Sequence, residues 1–163
     1  MSVEFSVTVH QPVGVADLRE DTQKVLRDLL HLSVLPALRS SESEHGHAML
    51  REAGDVVVFE GDGPGEATVM LLDLPTDESC TAFDRTALVS AGGLRSEVSV
   101  AIAIAAAIAL ARATGARVTD DALLVSSTPS VEPTRLLDSI RLRKPHVDIR
   151  LAAHELLEIA GLT

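Results

Sequence analysis

The segment from Ser96 to Gly115, SEVSVAIAIAAAIALARATG, constrains this chain more than any other. It is apolar on every side, rich in alanine and closed by glycine. Its alternation of Ala and Ile imitates the period of a strand. The run is too long for an ordinary strand, however, and alanine is the strongest helix former. Ser96 is placed as an N-cap, and Glu97 complements the positive end of the helix dipole. Arg112 stands in the last turn, and Gly115 follows where glycine is favoured. A helix apolar all round has to be buried, in a protein core or in a bilayer. Its uncharged part, Val98 to Ala111, is about 14 residues against the roughly 20 that span a membrane. The expectation is a core helix, with alanines that let a sheet or a second helix approach closely.

A core of that kind needs covering layers. With 163 residues, the chain is long enough for one globular domain, residues 1–163, that needs neither metal nor disulfide. Val3 to His10 alternates cleanly and predicts a half-buried strand with Val3, Phe5, Val7 and Val9 on one face. Asp17, with Glu20 three residues on, predicts the capped start of an amphipathic helix reaching about Leu32. Ser33 to Arg39 reads as a short strand that Pro36 confines to an edge, and Ser40 to His47 as a polar loop. Ala48 to Gly54 is ambiguous. Asp55 to Glu60 and Glu66 to Leu74 predict a hairpin around the GDGPG turn. Arg85 to Ser90 predicts a further strand leading into the central helix. Past Gly115, Ala116 to Val125 contains a strand interrupted at Asp120-Asp121. A short helix over Thr134 to Leu142 and a last helix capped by Asp148 and stopped by Gly161 complete the chain. The fold class this order predicts is α+β: a two-layer sandwich, a mostly antiparallel sheet packed against helices around the buried Ala-rich helix.

Composition excludes several functions. The chain has no Trp, no Tyr and only Phe5, Phe59 and Phe83, and its net charge is −10. Nucleic-acid ligands, which need cationic grooves and aromatic platforms, are not expected, and no membrane partner is expected either. A single cysteine, Cys80, allows no intramolecular disulfide and fits a reducing compartment. The start MSVEFSVTVH lacks a basic region and a long apolar stretch, so no secretory signal is read and a cytoplasmic location is expected.

Candidate chemistry is sparse. Glu42, Glu44, His45 and His47 offer zinc-compatible side chains in SESEHGH, but from one loop without a distant ligand pair, so no metal site and no cofactor are expected. Gly92-Gly93 with Arg95, at the start of the central helix, has the makings of an anion site. It lacks the lysine ending of a P-loop and the pattern of a nucleophile elbow. Cys80 is surrounded in sequence by Asp77, Glu78 and Asp84, an unfavourable setting for a catalytic thiolate. Asp120-Asp121 is more consistent with a turn or a partner-facing carboxylate than with paired catalytic acids. No catalytic residue is assigned, and the chain is not expected to be an enzyme.

What remains is charge. Residues 1–84 hold 16 acidic against 5 basic residues, a net of −11, while residues 85–163 are at +1. Glu42 and Glu44 in one loop, and Glu60, Asp62 and Glu66 around the hairpin turn, are the expected partner-binding acids, arranged for a basic protein. The stretch Ala103 to Leu124 points the same way. An Ala-rich helix ending in Ala113-Thr114-Gly115-Ala116 and followed by a strand with Val118 and Asp120-Asp121 resembles a feature of small α/β immunity proteins of bacterial polymorphic toxins. The resemblance implies a cytosolic inhibitor of one cognate toxin. The alternatives are a structural or scaffolding subunit that forms a homo-oligomer, and a small-ligand-binding protein or enzyme.

Overall fold

The computed structural model describes residues 3–42, 49–63, 65–73, 85–92, 96–122 and 124–162. Strand β1 (Glu4–Val9) is followed by the two-residue strand β2 (Val13–Gly14) and helix α1 (Val15–Leu29). Strands β3 (Leu38–Glu42), β4 (Met49–Leu50), β5 (Val56–Gly61), β6 (Glu66–Asp73) and β7 (Arg85–Ala91) come next. The Ala-rich helix α2 (Glu97–Thr114), β8 (Val118–Thr119), β9 (Ser130–Val131), α3 (Pro133–Ile140) and α4 (Ile149–Ala160) complete the order.

Seven strands form one sheet in the order β3-β5-β6-β7-β1-β8-β9, and every described pair in it is antiparallel. Two consequences follow from the pairing. β7 and β8 both flank β1 antiparallel, so they run parallel to each other and α2 is the crossover between them. By the same counting β1 and β3 run parallel, and α1 is the crossover that joins them across the sheet. Parallel neighbours need such long connections. The helix that crosses above β1 therefore has sheet beneath it and another crossover packed on it, and its sequence has to be apolar on all sides.

That is what α2 does. It touches β1, β5, β6, β7 and β8 as well as α1, α3 and α4. Every residue from Val98 to Ala111 is buried, and Ile102, Ile104 and Ile108 are 0 % exposed. The helix is long and apolar enough to pass a membrane-span test on composition, yet 78 % of it is buried inside this fold. The Ser96 hydroxyl accepts from the Ser99 N–H at 3.1 Å, and Gly115 takes a left-handed φ of 66°, a conformation that costs other residues energy. The inward faces of the strands complete the core with Phe5, Val7, Val9, Val57, Phe59, Val69, Leu71 and Val89. The alternate residues Ser6, Thr8, Thr68, Met70 and Leu88 face the other way and are half-buried.

The structure corrects the reading at two places and resolves it at two more. Helix α1 begins at Val15 with Gly14 as N-cap and no side-chain cap, so Asp17 is a first-turn acid rather than the cap. The reason is tertiary: β2 runs directly into the helix, and Val15 is needed in the core. The edge strand lies at Leu38–Glu42, not Ser33–Arg39. Ser33 instead gives its N–H to the His146 carbonyl at 3.1 Å, and the Pro36 carbonyl accepts from Gln23 Nε2 at 2.9 Å. The ambiguous stretch contains β4, which pairs with β2 beside the main sheet. Of the two alternatives for Asp120, a turn or a partner-facing carboxylate, the structure shows the turn. Asp120 is 0 % exposed, and its carboxylate accepts the N–H groups of Leu124, Val125 and Ser126 at 2.9, 2.8 and 3.1 Å. Asp121 beside it lies exposed in the turn.

Candidate functional site

The β5–β6 hairpin forms as its glycines demand. The Gly61 N–H donates to the Gly65 carbonyl at 2.9 Å, and the Gly65 N–H to the Gly63 carbonyl at 2.9 Å. Gly63 has φ of 115°, which a side chain would resist. The register places Glu60 directly across from Glu66 and Arg39 directly across from Glu60. Two like charges opposite each other on antiparallel strands are destabilising. The carboxylates of Glu60, Asp62 and Glu66 make no ion pair within 4.0 Å among the described residues.

The hairpin end is held firmly. The Glu66 N–H donates to Ser99 Oγ at 3.0 Å, and Ser99 Oγ lies 3.0 Å from Ser96 Oγ. The hairpin's return strand is thus bonded to the first turn of α2. Gly65 approaches that turn so closely that a Cβ there would stand 2.5 Å from Val98 Cγ1. Gly92, whose N–H donates to the Glu66 carbonyl at 2.8 Å, has no room for a Cβ against the Glu66 side chain. On the far side, a Cβ on Gly63 would stand 3.4 Å from Arg150 Nη2, so the first turn of α4 reaches the tip. Backbone bonds and serine hydroxyls hold the hairpin end, with the Arg150 guanidinium close beside its tip.

The five acids proposed from sequence are therefore not one cluster. Glu60, Asp62 and Glu66 share the hairpin end. Glu42 pairs in register with Val57, three positions along β5 from Glu60, about 10 Å at the rise of a strand. Glu44, His45 and His47 lie outside the described residues, as do Cys80, Gly93 and Arg95, which carried the thiol and anion readings. Among the described residues, no group of three or more His, Cys, Asp or Glu side chains is placed to hold a metal.

A concave cleft of about 620 Å³ opens elsewhere, lined by Arg27, His31, Asp138, Arg141 and Arg143 among others. It lies where α1 and α3 both end, so its cations face two negative helix termini. Arg27 is paired with Asp28 at 3.3 Å and Arg141 with Asp138 at 3.8 Å. Dipole compensation accounts for these charges without a substrate. His31 holds φ of 47° there; the N–H of Leu32 donates to the Arg27 carbonyl and that of His31 to the Asp28 carbonyl, the double bond of a Schellman helix end.

Among the described residues, two titrating groups depart from their ordinary values. His154 donates to the Glu97 carboxylate 2.7 Å away, which raises its pKa, and the charges of Glu97 and Glu158 add to it. Backbone N–H groups of Arg135 and Thr134 lower that of Glu132, the N-cap of α3. Neither belongs to the hairpin end, and both fasten helices.

Sequence reasoning missed the apolar surface formed by Ser33–Ala37 with Val147. Val34 is 73 % and Val147 92 % exposed. The only signal was a short apolar run without helical or strand period, and the strand reading absorbed it. Comparison of the chain with protein-family models, with curated proteins and with solved structures finds no significant match.

Proposed function

We propose that this chain is a non-enzymatic binding protein, an immunity-type inhibitor that holds a basic toxin in the cytoplasm through the acids of its β5–β6 hairpin. The observation that carries the reading is the facing pair Glu60 and Glu66, with Asp62 between them in sequence, on an end tied to α2. Arg39 stands across from Glu60, but among the described residues Asp62 and Glu66 have no cation opposite them in register, and facing acids add nothing to the fold, so we read their use as lying outside it. A cationic partner would be steered to them and oriented by them. The acidic half of the chain and the resemblance of Ala103 to Leu124 support the same class of partner.

The test uses the basic product of a neighbouring reading frame, with association rates followed by surface plasmon resonance. Neutralisation is preferable to reversal, because a lysine at position 60 would face Arg39. A Glu60→Gln/Asp62→Asn/Glu66→Gln variant should melt like the parent and associate about tenfold more slowly at low salt. The difference should shrink as salt rises. A partner whose association is indifferent to both salt and these substitutions would refute the reading.

A further inference from the structure

We propose that the groove beside the hairpin tip docks a protein segment that presents a large apolar side chain next to a lysine or arginine. The proposal rests on the reading of the chain as a binding protein and names where such a partner would be anchored. The groove, about 270 Å³, is lined chiefly by Val34, Leu35, Pro36, Val147 and Ile149, and among the described residues that line it Asp62 of the hairpin tip is the charged one. Val34, Leu35 and Val147 are 73 %, 45 % and 92 % exposed. Large apolar side chains gathered on one surface mark an interaction site more often than single ones do.

The lining is pre-arranged. Residues 31–33 and His146 are joined by backbone bonds, Ser33 N–H to the His146 carbonyl at 3.1 Å and His146 N–H to the His31 carbonyl at 2.9 Å. Pro36 is braced through its carbonyl by Gln23. Little ordering is therefore required when something binds, and preorganisation favours affinity. The volume lies below the roughly 300–1,000 Å³ of drug-sized ligand pockets and suits one or two side chains.

Charge decides the occupant. A second copy would bring another net charge of −10 to a site whose lining charge is already negative. A cation beside the apolar side chain would meet Asp62, so the segment is both apolar and basic. Apolar anchors in a preformed recess, with charge at the rim, are how interfaces concentrate affinity.

The experiment is an amide-shift titration of the ¹⁵N-labelled full chain with three synthetic five-residue peptides. One alternates lysine with leucine, the second has glutamate for lysine, and the third has serine for leucine. The lysine–leucine peptide should shift the amides of Leu32, Val34, Leu35, Val147 and Asp62, and bind at least about fivefold more tightly than the other two. A Val34→Ser/Val147→Ser variant, altered only at exposed positions, should bind it about tenfold more weakly, and Asp62→Asn about threefold more weakly. If the lysine–leucine and lysine–serine peptides shift only the amides around Glu60 and Glu66, and equally, the groove is refuted while the acidic-tip reading stands. If no peptide shifts any amide at millimolar concentration, both fail. If the chain sediments as a dimer that the double variant abolishes, the occupant is a second copy and the proposal is overturned.

Discussion

Asp120 offers the sharpest test of how this fold is held together. Its carboxylate is 0 % exposed and accepts three backbone N–H groups from the turn that follows it. Its own N–H closes the same loop on the Pro129 carbonyl at 2.7 Å. Replacing Asp120 by alanine leaves the Leu124 N–H buried and unpaired, which costs about 1–3 kcal/mol. The N–H groups of Val125 and Ser126 are only partly buried, so water recovers part of their loss, about 0.5–1 kcal/mol remaining for each. The sum is about 3 kcal/mol, a large share of the 5–15 kcal/mol typical of a domain. Asparagine should fall between the parent and alanine. Its oxygen can keep Val125 and Ser126, both of which bond the same carboxylate oxygen in the native chain, but its NH₂ then meets the donor of Leu124. The assay is urea unfolding followed by circular dichroism, with the midpoint and slope compared for the parent, Asp120→Ala and Asp120→Asn. An asparagine variant within about 0.5 kcal/mol of the parent would show that the three bonds are not what organises the turn.

Further outcomes follow from single residues. Ile104→Asp should not fold, because an unpaired charge at a site 0 % exposed outweighs the stability available, whereas Ile104→Val should lose about 0.5–1.5 kcal/mol; a soluble, cooperatively melting aspartate variant would refute the account of α2. His31→Gly should raise the urea midpoint, corresponding to about 0.5–1 kcal/mol of added stability, since φ of 47° at a helix end suits glycine better than histidine; a loss of stability would mean that the imidazole holds the loop. His154 has its pKa raised above the ordinary 6.5, so its contribution is complete below that value and is lost as pH rises through the folded pKa. The melting difference between the parent and His154→Gln should therefore shrink from acid to alkaline buffer, and a difference that grows would contradict the Glu97 pairing.

The parts of the fold legible in the sequence are those whose causes are local. Ser96, Gly115, Asp148 and Gly161 stand where backbone geometry alone puts them, and each caps its helix. The GDGPG turn fixed the β5–β6 hairpin, and with it the neighbourhood of Glu60, Asp62 and Glu66. What was not legible depended on distant pairing. Asp17 followed by Glu20 is a fair capping pattern, but the strand before it carried the chain into the helix three residues earlier. Ser33–Arg39 reads as a strand because apolar residues around a proline resemble an edge. Only the packing of residues 31–33 on His146 shows why the residues before Leu38 stay outside the sheet. Register is likewise a tertiary fact: nothing near Glu60 in sequence shows that Arg39 stands across from it, or that Glu42 lies at the far end of the same strand pair.

The helix that dictates the fold also explains why its acidic end can recognise anything. A hairpin tip is ordinarily among the more mobile parts of a domain. Here its return strand is bonded to Ser99, and Ser99 is 1 % exposed on a helix packed against the sheet on one side and three helices on others. Small residues make that packing close: the alanines of α2 bring the sheet near, and Gly65 lets the hairpin settle on Val98. The tip therefore moves with the core. At Gly63 the tip lies beside Arg150 of α4, whose first residue, Ile149, lines the apolar groove. A partner contacting both the acids and the groove would meet two surfaces fixed relative to each other. Neither would have to be ordered on binding, and that saves the entropy a flexible loop would lose. Gly65→Ala offers a way to separate rigidity from charge. It leaves every acid in place, but its Cβ would displace Val98 and loosen the end of the hairpin from α2.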